Sequence, residues 1–418
     1  MKTLNTELLS HIYENADKPL SNDELYKRVQ QETGLSDAHL NEMREFGTGK
    51  TKTSAIKHKV RWYQQTLRQA GVIERVPENR GVWRYAIKTE KKLHEARDSL
   101  YVVGFSTDLG VAIFGDARQL FSSIDEPITL CITSPPYMLR RARRYGAGFS
   151  GGEQGYIDFI VETLEPVVKS LERGGSIVIN VTQDAHIPGR PSRSLYVERL
   201  TLALAEKLGL ELMDRLIWSN RAKPPAPTQW ACKERVQLAT SYEPILWFTN
   251  DALHVKSDNR RVLQPHTEQH LKLLQSGGEL RSTNYGDGAY RLKPGSYGKM
   301  TEGSIAKNCL QYGNACADTR LCHAVSAELG LPKHGASFPS RLAQFFVEFL
   351  SQPDDLIVDP FAGLHKVPLA AERLGRRWMA TDKVLEWMAI AKSLFTQAPG
   401  YSHNPLLDAL VQDYRKPV

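Results

Sequence analysis

The chain has 418 residues, 41% of them hydrophobic and 24% charged, which leaves room for two or three domains of roughly 150 residues each. No apolar run approaches the ~18 residues of a membrane span, the N-terminus lacks the pattern of a signal peptide, and five scattered cysteines exclude a disulfide framework. We therefore expect a cytoplasmic protein. Its net charge of +7 permits a polyanionic partner without requiring one.

The first 95 residues predict a small helical domain that ends in a β-hairpin. The segment Ser21–Asp23 offers an N-cap to a first helix. Apolar residues at helical spacing from Ile56 to Ala70 predict a second, amphipathic helix. Two strands joined by a turn are expected at 72–76 and 82–87. This order of elements resembles a winged-helix domain of the kind fused to restriction-modification proteins.

One face of the predicted amphipathic helix is basic. It carries Lys57, Arg61 and Arg68, and no acidic residue occurs from 47 to 73. This asymmetry fits contact with DNA phosphates, for which Lys57 and Arg61 are the candidates; the alternative is a solvated face of a packing or dimerisation domain. The nearby segment 47–51 ends like a P-loop but lacks the required first glycine and a preceding strand, so nucleotide hydrolysis is not expected there.

From Tyr101 onwards, short apolar runs alternate with helical stretches, which predicts an α/β fold with helices on both faces of a sheet. The apolar, β-branched run 128–133 predicts a buried strand that leads directly into Ser134-Pro135-Pro136-Tyr137. Two consecutive prolines cannot donate to a β-ladder, so the strand must end there in a rigid loop at the carboxyl edge, where such sheets bind ligands. The loop offers a hydroxyl, fixed carbonyls and an aromatic ring, which suit an exocyclic amine on a planar base.

A second pattern is typical of an adenosine-binding βαβ unit. A short apolar strand ends at Asp359, a loop containing Gly363 and a helix follow, and a second strand ends at Asp382, about 23 residues beyond Asp359. The glycine permits close approach of the backbone to a ligand, and the second acid is placed to accept hydrogen bonds from ribose hydroxyls.

Together, the motifs 133–137 and 359–363 resemble the catalytic and cofactor motifs of the S-adenosylmethionine-dependent amino-methyltransferases of DNA, in the permuted order of their beta group. The resemblance covers roughly residues 101–399. It implies a Rossmann-like methyltransferase sheet, S-adenosyl-L-methionine as cofactor, double-stranded DNA as partner, and no metal ion. It implies that the catalytic residues are Ser134, Pro135, Pro136 and Tyr137. It implies that the cofactor-binding residues are Asp116, Phe338, Pro339, Ser340, Asp359, Pro360, Phe361, Ala362, Gly363 and Asp382.

The resemblance also implies a mechanism. Ser134 Oγ and the Pro135 carbonyl would accept hydrogens of the target amine, while Tyr137 stacks on a base flipped out of the duplex. Ser134 with Phe338-Pro339 favours cytosine N4, and adenine N6 is the alternative. Ser337 or Ser340 is placed to cap the helix near the methionine end of the cofactor. A cognate restriction endonuclease is a further candidate partner.

The chain departs from the family pattern directly after Gly363. Leu364, His365 and Lys366 stand where the family commonly has small residues, and bulky side chains there can crowd the methionine end of the cofactor. This leaves open a third function, a catalytically inactive methylase fold that acts as a DNA-binding regulator. Lys366 is expected to face solvent, with pairing to the cofactor carboxylate as the alternative.

Two further segments are expected to contact DNA. The first is a basic stretch after Tyr137, predicted to hold phosphates unless it is a solvated helix; it contains Arg140, Arg141, Arg143 and Arg144. The second is the interval 250–332, where periodicity fades and where the family has its target-recognition region. Its candidate base or phosphate contacts are Arg260, Arg261, Arg281, Asn284, Tyr285 and Arg291.

The patterns divide the chain into four parts. We expect a winged-helix-like DNA-binding domain at 1–95, a catalytic part at 96–250, a target-recognition region at 251–333 and a cofactor-binding part at 334–418. The charged, unpatterned segment 88–99 is the expected linker. Cys309, Cys316, Cys322 and His323 lie close in sequence but lack the paired spacing of a zinc site.

Overall fold

The apolar side chains of the N-terminal residues and those of the rest of the chain form separate cores, in units that span residues 1–91 and 92–417. Within the described residues, no helix is both long enough and apolar enough to cross a membrane. The computed structural model describes residues 4–46, 51–69, 73–76, 79, 81–85, 93–96, 101–138, 151–220, 223, 226–286, 290–331, 333–335 and 338–415.

The N-terminal unit combines helices with a three-stranded antiparallel sheet. Its elements are α1 (Thr6–Glu14), β1 (Leu20–Ser21), α2 (Asn22–Thr33), α3 (Asp37–Leu40), β2 (Met43–Phe46), β3 (Thr51–Ser54), α4 (Ala55–Gln69), β4 (Ile73–Arg75) and β5 (Val82–Tyr85). The sheet has the order β1-β5-β4, and β4 with β5 forms the predicted hairpin directly after α4. This is the expected winged-helix arrangement, with an additional hairpin, β2–β3, that the sequence does not predict.

Local sequence explains the two main helices of this unit. Ser21 caps α2 through a capping box: its hydroxyl accepts from the Glu24 N–H at 3.3 Å, and Glu24 Oε2 accepts from the Ser21 N–H at 2.9 Å. Helix α4 buries Val60 and Leu67 in the core and leaves Arg61 exposed. The predicted cap and the predicted amphipathic face are both confirmed.

The second unit is built on one ten-stranded mixed sheet. The strands of this unit, including two outside the large sheet, are β6 (Val102–Ser106), β7 (Gly110–Phe114), β8 (Ile128–Thr133), β9 (Leu171–Asn180), β10 (Glu211–Ser219), β11 (Tyr242–Thr249), β12 (Thr283–Tyr285), β13 (Tyr290–Leu292), β14 (Cys309–Gln311), β15 (Leu356–Asp359), β16 (Arg377–Asp382) and β17 (Ser402–His403). The sheet order is β14-β10-β11-β9-β8-β15-β16-β7-β6-β17, and β12 pairs with β13 outside it. The central strands β9, β8, β15, β16 and β7 are parallel.

Helices cover both faces of this sheet. The helices of this unit are α5 (Ala117–Leu120), α6 (Gly152–Lys169), α7 (Tyr196–Leu208), α8 (Glu268–Gln275), α9 (Ala317–Glu328), α10 (Ser340–Leu350), α11 (Lys366–Arg373), α12 (Leu385–Ala391) and α13 (Pro405–Arg415). Short 3-10 or π turns occur at Phe121–Ser123, Thr228–Lys233, Ala252–His254, Asn259–Val262 and Lys392–Leu394. In β8, Leu130 and Ile132 pack with α10, α11 and α12, whereas Cys131 packs with α6 and α7. The predicted α/β class with a two-sided Rossmann-like sheet is confirmed.

Residues 93–96 fall within the predicted linker, but they pack on the second unit. Glu95 forms a β-bridge with Val384, and Leu93 contacts the main core. The fully buried Glu386 carboxylate accepts hydrogen bonds from the His94 N–H at 2.9 and 3.0 Å and contacts His94 Nδ1 at 2.7 Å. A buried carboxylate needs such donors, so for these four residues the linker prediction was wrong.

Candidate active site

A pocket opens at the edge of the sheet where the parallel strands β8, β15 and β16 end, which we call the carboxyl edge. Most of the predicted catalytic and cofactor residues line it: Asp116, Ser134, Pro135, Pro136, Tyr137, Phe338, Asp359, Pro360, Phe361, Ala362, Gly363 and Asp382. Strands β8 and β15 are neighbours and parallel, which brings two motifs more than 200 residues apart to one place. The side chains of Thr133 and Asp359 join them with a hydrogen bond of 2.8 Å.

The loop after β15 is shaped by Gly363. Its φ is +50°, and a Cβ atom there would lie 3.2 Å from His334 Nε2, so the position suits glycine. The Gly363 N–H donates to Asp382 Oδ2 at 2.7 Å, which holds the loop against the end of β16. The result is a cradle of bare backbone beside the pocket.

Two carboxyl groups flank this cradle, of which Asp359 is buried and Asp382 is half-buried. Burial raises the pKa of Asp359 to about 7 and that of Asp382 to about 6. Asp359 accepts from Thr133 and from the Phe361 N–H at 3.1 Å, so it organises the loop. Asp382 accepts from Gly363 and from the Val384 N–H at 2.8 Å and lines the pocket.

Asp116 supplies a third carboxyl group to the pocket. Its Oδ2 pairs with Lys383 Nζ at 2.6 Å and with Arg118 Nη2 at 2.8 Å. Burial alone would raise the pKa of Asp116, but the hydrogen bonds from Arg118 and Lys383 outweigh burial and lower it. Asp116 is therefore ionised at neutral pH, and its negative charge is compensated by the positive charges of Arg118 and Lys383.

The hydroxyl of Tyr137 is held by two residues that the sequence analysis missed. It donates to Glu243 Oε2 at 2.6 Å and accepts from Asn180 Nδ2 at 2.8 Å. Asn180 Nδ2 also lies 3.4 Å from Ser134 Oγ, and Lys223 Nζ pairs with Glu243 Oε1 at 3.1 Å. Burial, followed by the charge of Glu243, raises the pKa of Tyr137 well above its usual value, so the phenol stays protonated and donates.

Asn180 carries the one signal that pointed to this network, since it is a polar residue at the end of an apolar strand. It is 1% exposed, and its Oδ1 has no hydrogen-bond partner among the residues that the structure describes. A buried acceptor without a partner is costly. Asn180 therefore contacts Ser134 and Tyr137 through Nδ2, while its Oδ1 stays an unused acceptor in the described part of the chain.

Residues 128–393 match the DNA methylase family that comprises N6 and N4 amino-methyltransferases. The chain is 30% identical over 292 residues to the type II methyltransferase M.PvuII of Proteus hauseri, covering 70% of this chain and 85% of that protein. It belongs to the DNA methylase family. S-Adenosyl-L-methionine is accordingly its cofactor and DNA its substrate, as the resemblance implied.

Other comparisons agree with this methylase assignment. The structure of PvuII DNA methyltransferase (cytosine-N4-specific) matches with a TM-score of 0.57 at 25% identity and covers 76% of this chain and 96% of that chain. The type II methyltransferase M.BglII of Bacillus subtilis is 23% identical over 307 residues, which covers 71% of this chain and 72% of that protein. Residues 2–93 of the methylase match the Mrr N-terminal domain.

The unusual residues of the methylase after Gly363 fall in different places. His365 is fully buried with φ +53°, and its ring lies 5.3 Å from the ring of Phe105 in the core. Its Nδ1 contacts the Gly363 carbonyl at 2.8 Å, and burial lowers the pKa of His365 to about 4, so the ring is neutral. Leu364 lines the pocket, whereas His365 packs in the core and does not line the pocket.

Lys366 does not face solvent, so that expectation was wrong. Its side chain is 2% exposed and lines the pocket, because the first turn of α11 is covered by α9, where Cys322 Sγ lies 3.8 Å from Lys366 Nζ. Burial lowers the pKa of Lys366, while Cys322, Cys316 and Asp318 act in the opposite direction. Among the described residues, no carboxylate forms an ion pair with this ammonium group.

The start of α10 also differs from expectation. Pro339 is the N-cap and Ser340 the first helical residue, so Ser340 does not cap the helix. Its hydroxyl lies 3.6 Å from Cys316 Sγ instead. Burial alone would raise the pKa of Cys316, but hydrogen bonds from Thr319 and Ser340 and the charge of Lys366 lower it to about 7. Ser337 lies outside the described residues.

The structure does not bring Arg260 and Arg261 to the pocket. Arg261 donates to the carbonyl oxygens of Phe349 and Ser351, which precede β15 and so lie at the edge opposite the carboxyl edge. Arg260 pairs with Asp258 at 2.7 Å beside them. The other candidates of this region lie in or next to the β12–β13 ribbon: Arg281, Asn284, Tyr285 and Arg291.

The remaining predicted DNA contacts lie elsewhere. The basic stretch after Tyr137 is outside the described residues: Arg140, Arg141, Arg143 and Arg144. Lys57 and Arg61 are on α4 of the N-terminal unit, where Lys57 Nζ lies 5.4 Å from the centre of the Tyr26 ring. The described residues contain no group of three or more metal-ligating side chains.

Proposed function

We propose that this methylase transfers the methyl group of S-adenosylmethionine to the N4 amine of cytosine at a specific site in duplex DNA. The observation that carries the proposal is the juxtaposition of Ser134 and Tyr137 with the Gly363 cradle in one pocket, with Asn180 Nδ2 in contact with both side-chain hydroxyls. The choice of cytosine is supported by Ser134 and by the likeness to a cytosine-N4-specific enzyme. Adenine N6 is the alternative, and a cognate endonuclease stays a prediction.

The pocket has groups that match each part of the cofactor, which supplies an electrophilic methyl on a sulfonium when bound. The bare backbone at Gly363 admits the nucleoside, and Asp382 accepts hydrogen bonds from the ribose hydroxyls. Lys366, a buried cation that forms no ion pair with a carboxylate among the described residues, pairs with the methionine carboxylate. Asp116 and Phe338 complete the walls.

The catalytic loop activates and positions the target amine. The amine is a poor nucleophile because its lone pair is delocalised into the ring. Ser134 Oγ and the Pro135 carbonyl accept its hydrogens and favour a tetrahedral nitrogen, while Tyr137 stacks on the base. Glu243 and Asn180 fix Tyr137 by its hydroxyl. A base inside a duplex cannot reach this pocket, so it is flipped out, which costs a few kcal/mol.

Methyl transfer from radiolabelled S-adenosylmethionine to mixed-sequence duplex DNA tests the proposal. Hydrolysis of the product to nucleosides is expected to yield N4-methyldeoxycytidine; N6-methyldeoxyadenosine would establish the alternative instead. Absence of transfer by a chain that binds DNA but not S-adenosylhomocysteine would indicate a regulator. The Ser134→Ala variant should lose at least about 100-fold in transfer rate and keep its affinity for S-adenosylhomocysteine.

We also propose that the N-terminal unit holds DNA through α4. Lys57 and Arg61 lie on a helix that presents basic side chains, and the hairpin after it completes a winged helix. In the second unit, the arginines of 140–144 retain their proposed role as phosphate contacts because they follow the catalytic loop directly in sequence.

A further inference from the structure

Two loops leave the sheet at the same edge as the catalytic loop. Strand β10 runs parallel to β9 because both are antiparallel to β11. The described residues between β10 and β11, which are 220, 223 and 226–241, therefore lie at the carboxyl edge, and so does the segment that follows β9. We call residues 186–193 and 228–241 of these segments the rim.

The two parts of the rim are joined by side-chain hydrogen bonds. Gln237 Nε2 donates to the Pro191 carbonyl, and Gln237 Oε1 lies 3.2 Å from His186 Nε2. Arg193 Nη2 donates to Thr240 Oγ1 at 3.0 Å. The backbone of 228–236 also closes on itself, with Val236 and Gln237 both donating to one carbonyl. The rim is thus a connected surface rather than two independent loops.

The rim is also connected to the catalytic residues. Lys223 Nζ pairs with Glu243 Oε1 at 3.1 Å and lies 3.5 Å from Asp184 Oδ2. Asp184 in turn accepts from Thr240 Oγ1 of the rim at 2.7 Å, and Glu243 holds the hydroxyl of Tyr137. These contacts place the rim directly beside the pocket for the target base.

The exposed side chains of the rim are basic and apolar. Its sequence contains four basic residues and one acidic residue, and Arg190, Lys233 and Arg235 are exposed. Leu238 is 90% exposed and Val236 61%. Exposed apolar side chains next to cations suit DNA, whose phosphates attract the cations and whose bases offer apolar surface in the grooves and at unstacked steps.

We propose that the rim is a DNA-contacting surface of the methylase, with its three exposed cations on phosphates and Leu238 and Val236 against bases next to the flipped target. The inference rests on the proposed function, because the position of the target base defines where the duplex must lie. The proposed contact surface lies at the carboxyl edge, whereas the Arg260–Arg261 segment lies at the opposite edge.

Fluorescence anisotropy with a labelled mixed-sequence duplex tests the proposal in the full-length protein with S-adenosylhomocysteine present. The combined Arg190→Ala, Lys233→Ala and Arg235→Ala variant should bind at least about tenfold more weakly, with the slope of log affinity against log salt reduced by about 2 to 3. Leu238→Ser should weaken binding by about tenfold if the leucine is buried against DNA.

Matched controls lie at the opposite edge. Leu253 is 93% exposed in the segment after β11, next to the start of β10, and Arg173 is an exposed residue at the start of β9. Leu253→Ser and Arg173→Ala should leave DNA affinity unchanged. Rim variants that behave like these controls would overturn the proposal, and so would rim variants that change the sedimentation of the free protein but not its DNA affinity.

The proposal that the rim contacts DNA and the proposed methyltransferase function can be refuted independently of each other. The anisotropy titration requires no turnover, so it decides on the rim even if the wild-type chain transfers no methyl group. Conversely, a wild-type chain that methylates DNA while the rim variants keep full affinity and a full salt slope would leave the methyltransferase function intact and exclude the rim.

Discussion

Replacement of Lys366 by methionine tests how this methylase holds the amino-acid end of its cofactor. Methionine keeps most of the length and the apolar stem of the side chain but removes the ammonium group. Lys366 is buried, lines the pocket and forms no ion pair with a carboxylate among the described residues. The negative group that the ammonium lacks is present in the ligand, as the carboxylate of the methionine moiety.

Coulomb's law gives the size of the expected effect. Two opposite charges 4 Å apart attract by about 4 kcal/mol at an effective dielectric constant of about 20. Desolvation of both groups offsets part of this attraction, and hydrogen bonds to charged groups contribute about 1.5 to 3 kcal/mol. Because about 1.4 kcal/mol corresponds to a factor of ten, the Kd for S-adenosylhomocysteine should rise by about 10- to 100-fold.

Calorimetry with two ligands isolates the carboxylate. S-Adenosylhomocysteine carries it, whereas methylthioadenosine has the same nucleoside and sulfur but no amino-acid group. Lys366→Met should lower the affinity for S-adenosylhomocysteine and leave the affinity for methylthioadenosine unchanged. Equal losses for both ligands would refute the pairing and indicate a distorted pocket. Unchanged affinity for both would show that Lys366 does not pair with the cofactor carboxylate.

Three further predictions concern other parts of the molecule. The Lys57→Ala, Arg61→Ala double variant should lower the salt slope of DNA binding by about 2, measured by anisotropy, without changing the calorimetric Kd of S-adenosylhomocysteine. Tyr137→Phe should reduce methyl transfer in the radiolabel assay, because the ring loses its hydrogen bonds to Glu243 and Asn180, while cofactor affinity is kept. Burial raises the pKa of Asp382 to about 6, so the carboxylate that we propose accepts hydrogen bonds from the ribose hydroxyls is lost as the pH falls through 6. Affinity for S-adenosylhomocysteine should therefore decline below that pH in the wild type, and Asp382→Asn should bind weakly at every pH.

The sheet and its carboxyl edge could be predicted because their signals are local. All six residues of β8 are buried, and their apolar, β-branched composition indicates this directly. The two prolines that follow end the strand whatever surrounds them. The positions of Asp359, Gly363 and Asp382 could be predicted for the same reason. The ends of apolar strands can be recognised in the sequence, and a loop residue with positive φ is usually a glycine.

The catalytic network could not be predicted because its contacts are distant in sequence. Glu243 holds the hydroxyl of Tyr137 across 106 positions, and a glutamate beside a proline in a strand gives no sign of such a partner. Lys366 begins a helix, where a lysine is usually solvated; only the packing of α9 buries it. Burial of a polar residue by another element is a tertiary property.

Strand direction explains why the sequence did not predict at which edge of the sheet the predicted target-recognition region begins. Composition marks residues 250–332 as irregular, but the edge of the sheet at which this interval begins depends on the direction of β11. Because β11 is antiparallel to β9, its end at Thr249 lies away from the pocket, and Arg261 there satisfies backbone carbonyls before β15. Arginines that stabilise loop ends and arginines that contact phosphates have the same sequence signature.

The same antiparallel strand brings Glu243 to the pocket, because its start lies at the carboxyl edge. A carboxylate in that position is mostly buried and would be unfavourable without Lys223, whose ammonium is shared with Asp184. Asp184 is bound to Thr240 of the rim. Thr240 of the rim is therefore connected to the hydroxyl of Tyr137 through three side chains, those of Asp184, Lys223 and Glu243.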